Sequence, residues 1–273
     1  VTVDLDDLEN RIMKWCSGRP MPSGTVTIVQ QALVELASAR LRIQELDKQL
    51  EMRTIGETSM NPCVIHGAQW CTCLNPSPEP TREVVSLVAA PIRLILSMSH
   101  NFDWSIQGFG MLRAYLSKER RLHIWHSSGK VDNVSTIHDH PWDFTSYVVA
   151  GSITDRVYTM AEIGLPSHHK QRIRCGPGGC ALDQRYDVLL ELQSERTYGP
   201  GESYARKSWE LHETLPEDGT VTLVTRQFKE DTEHAWVCFP LGTEWVSAEP
   251  RKATGAEEDR FVKAALAALE AVR

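Results

Sequence analysis

Between Thr25 and Arg53 apolar residues return at steps of three and four: Ile28, Ala32, Leu36, Ala39, Ile43, Leu46 and Leu50. That is the period of a helix with one apolar stripe. The stretch contains no proline, and "SARLRIQELDKQLEMR" mixes both signs of charge on its other positions, as an exposed helix or short coiled coil does. Residues 1–56 therefore predict a helical region. Its stripe either joins subunits into a homo-oligomer or packs on its own domain. Residues 57–82 break the pattern with proline, asparagine, serine and glycine, and "NPSPEPT" reads as a linker.

From residue 83 to 250 short strand-like runs dominate. "EVVSLVAAPIRLILSM" fits either a short helix or a strand. "GMLRAYL" and "RLHIWHS" read as strands around the charged turn "SKER", and "DFTSYVVAGSITDRVYTM" as two strands around a glycine turn. Closely spaced strands without intervening helices predict a mainly β, antiparallel sandwich or barrel. Residues 251–273 predict a C-terminal helix: "GAEEDRFVKAALAALEAVR" places acids at its start and arginine at its end, which suits the helix dipole.

Composition changes this picture little. At 273 residues, 41% hydrophobic and 24% charged, the chain can bury a core without staples. No run approaches the roughly 20 apolar residues of a membrane span. The acidic start "VTVDLDDLEN" lacks the features of a signal peptide, so a cytoplasmic protein is expected. A net charge of −7 argues against nucleic acid as the main partner. The basic runs "KERR" (118–121) and "HHKQRIR" (168–174) read as solvated hairpin ends. Seven cysteines do not suit a disulfide framework in a reducing compartment. Four ligand-type residues cluster instead: Cys63, His66, Cys71 and Cys73 have the count of a closed Cys3His structural zinc site, or are simply redox-inert.

The candidate chemistry begins in "STIHDHPWDF" (135–144). Residues i and i+2 of a strand share a face, so His138 and His140 point together and Asp139 points away. They are either hydrogen-bonded to their surroundings or two ligands of a metal. Downstream, "YGPGESYARKSWELHET" carries a Pro-Gly turn and then a strand ending near His212.

These two segments resemble the two signature motifs of the cupin superfamily. His138, His140 and Gly151 fit the first; Gly201 and His212, eleven residues apart, fit the second. The resemblance covers roughly residues 105–245. It implies a double-stranded β-helix (jelly-roll) barrel in which His138, His140 and His212 hold a metal. The glutamate of the first motif falls on Phe144 or Thr145, which cannot bind one. Asp143 is off register by one residue, and a bulge at Pro141 would make it a fourth ligand or a base. Without it, the three-histidine set resembles the thiol dioxygenase branch, which implies Fe(II). "HDHPWDF" and the Trp-rich "HAWVCFPLGTEWV" also resemble uncharacterised cupin-like proteins of bacteria and phages, a likeness that transfers no activity.

Independently of family, imidazoles suit divalent first-row metals, and three of them leave coordination positions open. Neutral ligands leave the ion's charge uncompensated, which favours an anionic chelating substrate. Arg113 and Arg156 are candidate anchors for a substrate carboxylate, or ordinary surface arginines. Trp142, Tyr147 and Tyr158 line the pocket or belong to the core. His123, His126, His168, His169 and His234 receive no role. The function expected is a metal-dependent oxidoreductase using dioxygen on a small organic substrate. The alternatives are a sugar isomerase or epimerase, and a non-catalytic binding or assembly protein.

Overall fold

The computed structural model describes residues 82–176, 179–228, 234–243 and 249–272. The helix expected over residues 25–53 and the Cys63, His66, Cys71, Cys73 cluster lie outside the described residues. The chain divides into two units, Val1–Ile95 and Leu96–Arg273. In "EVVSLVAAPIRLILSM" the helix prevails: α1 spans Arg82–Ser97 with Pro91 inside it. Proline there leaves the carbonyl four residues back without its helical donor.

All the described strands belong to the second unit. Seven form one antiparallel sheet in the order β13 (Arg251–Lys252), β1 (Trp104–Gln107), β2 (Phe109–Tyr115), β3 (Arg120–Lys130), β11 (Val221–Phe228), β5 (Trp142–Ala150) and β9 (Ser203–Arg206). Six more close on themselves in the order β10 (Leu211–Pro216), β4 (Ile137–His138), β12 (His234–Pro240), β7 (His168–Gly176), β8 (Gly179–Tyr198) and β6 (Ile153–Ala161). This is a mainly β, antiparallel architecture, as the spacing of strands and turns predicts, and its double-sheet barrel is of the jelly-roll class that the motif resemblance implies. The expected strands and turns are present: β2 and β3 pair as a hairpin around the charged turn, and β5 and β6 flank Gly151, where the chain passes from one sheet to the other. Gly151 has φ +74°, and a Cβ there would lie 2.5 Å from Thr220 Oγ1, so the turn requires glycine.

Two expectations change. "HHKQRIR" is not a hairpin end: it is most of β7, paired with β12 on one side and β8 on the other. Residues 251–252 are not helical; they form β13 on the edge of β1. The C-terminal helix α2 runs from Gly255 to Ala271. Thr254 and Glu257 form a reciprocal capping box at its start, the signal that places the boundary. Phe261, Val262, Ala265 and Leu269 form its buried stripe. The ring of Phe261 lies 2.6 Å from where a Cβ on Gly129 of β3 would sit, so α2 packs tightly on that strand. Covered on one face by α2, β3 keeps residues 121–125 buried on both faces. Its other face looks into the barrel.

No helix among the described residues is long and apolar enough to cross a membrane.

Candidate metal centre

The alternation of β4 carries into the residues that follow it. His138, His140, Trp142 and Phe144 share one parity and all line an interior cavity of about 570 Å³. His138 lies directly opposite His212 across the β4–β10 ladder. The ring centroids of His138, His140 and His212 are 4.7, 4.9 and 5.3 Å apart. Their ligand nitrogens all lie within 4.8 Å of one another, close enough for one ion to sit among them.

Hydrogen bonds fix which nitrogens face inward. His138 Nδ1 donates to the Thr136 carbonyl at 2.9 Å, and His212 Nδ1 donates to Asp155 Oδ1 at 2.8 Å. Each imidazole therefore presents its Nε2 lone pair to the cavity. His212 Nε2 is 3.2 Å from His140 Nε2. Two lone pairs at that distance repel unless a proton or a metal ion stands between them. Burial and the neighbouring His212 pull the His138 pKa down to about 4. Burial, together with His138 and His212, lowers that of His140 well below the usual range. Both rings are neutral at pH 7, the form that binds metal. The donor set fits a divalent first-row ion.

Asp155 is the functional residue that the sequence reading missed. Its side chain is fully buried, and it accepts from His212 while Arg206 Nε donates to it at 2.9 Å. A carboxylate behind a ligand histidine fixes the ring's tautomer and raises its basicity. The signal was present: Asp155 sits at the buried parity of β6, between Ile153 and Val157.

Asp143 goes elsewhere. It accepts from Ser208 N at 2.7 Å and pairs with Lys207 at 3.3 Å, and its carboxylate is not in the histidine cluster. No bulge brings it in, because it has the opposite parity to His140 and Phe144. Arg156 is also on an outward face, bonded to Glu195 and 3.4 Å from Glu213. It lines no part of the cavity. Trp142 does line it, whereas Tyr147 is buried outside it and Tyr158 donates to Glu213 at 3.0 Å.

Arg113 alone among the proposed side-chain anchors reaches the cavity. Its Nε donates to Ser105 Oγ at 3.0 Å and its Nη1 to Gln107 Oε1 at 3.2 Å. Two neighbours join it. Arg121, read above as the solvated end of "KERR", is only 8% exposed and faces inward. His123, which received no role, is also 8% exposed and lies opposite Arg113 in the β2–β3 ladder. Of the other histidines without a role, His126 is 3.9 Å from Asp218, His169 is 2.5 Å from Asp187, and His168 and His234 line no part of the cavity.

No family model matches the chain, and no curated protein matches it. Among solved structures, an oxalate decarboxylase variant of Bacillus subtilis is similar over 51% of this chain and 30% of that one, at 12% identity and a TM-score of 0.25.

Proposed function

We propose that the protein is a metal-dependent enzyme of the cupin type, an Fe(II) dioxygenase acting on a small organic substrate. The observation that carries this reading is the convergence of the His138, His140 and His212 ring nitrogens inside a cavity large enough for a small molecule. An ion held by them supplies Lewis acidity and, as iron, one-electron chemistry with dioxygen. Dioxygenation places both oxygen atoms in the product, and the substrate gives up all four electrons, so no external reductant is needed. Among the described residues no carboxylate joins the histidine cluster, which favours a substrate that brings its own negative charge.

The chain's own residues prepare this site. Asp155 holds the proton on His212 Nδ1, and the Thr136 carbonyl holds that on His138. Phe109 stacks on His138 at 5.8 Å, and Phe144 meets His140 edge-on at 5.0 Å. This apolar wall keeps bulk water from the open positions and strengthens electrostatic interactions there.

Elemental analysis of protein purified without added metal tests the reading. Stoichiometric iron, lost in His140→Ala, and oxygen uptake with small thiols or enols are expected. Turnover unaffected by removing dioxygen would substitute acid–base isomerisation. A fully stable barrel that takes up no metal would substitute a binding or assembly role.

A further inference from the structure

The β2–β3 wall of the same cavity is built around positive charge. Alternation puts Arg113 and Tyr115 of β2, and Arg121 and His123 of β3, on the inward face. The ladder register sets Arg113 opposite His123, and Tyr115 opposite Arg121. Arg226 of β11 joins them from the next inward position after Thr222 and Val224 and is 6% exposed.

Among the described residues, no carboxylate forms an ion pair with Arg113, Arg121 or Arg226. Aromatic faces hold them instead. The Arg121 guanidinium lies 4.7 Å from the Tyr115 ring centre and 5.0 Å from that of Trp142; Arg226 is 5.1 Å from Trp142 on its own account. Arg121 Nη2 donates to Tyr115 Oη at 2.9 Å, but its Nε is buried with no partner. His123 Nε2 is likewise buried with no partner. Burial and the surrounding arginines lower the pKa of His123, so its ring is neutral and can present an N–H. Buried donors are normally satisfied, and buried charge is normally paired. Two carboxyl groups line the cavity without answering this charge. Asp139 accepts from Trp236 N at 2.6 Å beside the metal ligands, and Glu249 is exposed.

We infer that Arg113, Arg121 and His123 form a binding site for an oxyanion group (carboxylate, phosphate or sulfonate) of the substrate. The inference rests on the enzymatic reading for the substrate's role, but not for the binding itself. The substrate is then a small organic anion with two recognised parts. Its oxyanion group engages the guanidinium groups, and its reacting atoms face the three histidines. The aromatic residues between select an apolar connection.

Thermal denaturation at constant ionic strength tests this, with propionate, inorganic phosphate and methanesulfonate as probes and propionamide as the uncharged control. At least one anion is expected to raise the melting temperature, and the one that raises it most identifies the oxyanion. Propionamide should not. Arg121→Gln should weaken the apparent anion affinity roughly tenfold to a hundredfold, with metal content unchanged. Arg121→Lys should retain part of it, and Arg113→Gln serves should the first variant not fold. His140→Ala should lose metal yet keep the anion-induced shift. No shift with any anion, an equal shift with propionamide, or equal shifts in wild type and both glutamine variants would overturn the site and leave the metal reading intact. Anion binding in a protein that takes up no metal supports the oxyanion site and removes the metal reading alone.

Discussion

Behind His212 stands a carboxylate, Asp155, and beyond it an arginine, Arg206. Behind Arg121 stands only the Tyr115 hydroxyl, with aromatic faces around the guanidinium. The two groups line one cavity, yet charge is handled differently on its two walls. On the histidine wall the Nδ1 atoms of His138 and His212 are each held by an acceptor, which turns two neutral Nε2 donors toward the cavity. On the arginine wall, among the described residues, no carboxylate forms an ion pair with the buried guanidinium groups, at the cost of desolvating them. A wall built only for stability would resemble the first. The second is the arrangement that the oxyanion site proposed above requires.

The largest expected effect is the response to acid of the histidines on both walls. In metal-free protein, His138 titrates at about 4, and His140 and His123 also lie well below the usual 6.5. Once unfolded, the chain takes up these protons near pH 6.5, so stability falls as the pH is lowered from about 6.5 toward about 4. Asp139, raised to about 7 by burial, binds its proton more tightly in the folded state and acts in the opposite sense throughout that range. Three imidazoles outweigh one carboxyl. Melting temperature against pH, with and without metal, checks this, and a flat profile for the metal-free protein would count against buried neutral rings.

Next in size is Asp155→Asn, expected to weaken metal affinity about 10- to 100-fold by removing the acceptor behind His212. Titration against a competing chelator measures it. Asp143→Asn, by contrast, should leave metal affinity unchanged, because that carboxylate serves Ser208 and Lys207.

The smallest effect has the most telling sign. Replacing an unpaired buried charge by an apolar group of similar length removes its desolvation cost. Arg121→Met should therefore stabilise the ligand-free protein, by about 1–2 kcal/mol. Urea denaturation reads the difference. Destabilisation on the scale of a core truncation would show that Arg121 is structural.

Some of this site was legible in the chain. The parity of His138 and His140 follows from a strand period of two. The same counting, carried through Trp142 and Phe144, already turns Asp143 away. Asp155 was legible too, as a lone acid at the parity of Ile153 and Val157, although nothing local said which ring it serves. Arg121 was not legible. In "KERR" it looks like one more charge on a turn, and its inward direction depends on the register that sets it opposite Tyr115 of β2. A pairing register shifted by one residue would turn it to the other face.

The sequence by itself determined the alternation that makes these segments strands, the glycine turn at Gly151, the capping box that starts α2, and which residues of a strand share a face. All of these are set within a few residues of chain. Only the tertiary structure decided that His138 faces His212, that Arg113 faces His123, and that Asp155 stands behind His212. Those partnerships depend on the register between strands far apart in sequence, and register is fixed by the packing of the whole barrel rather than by any one strand.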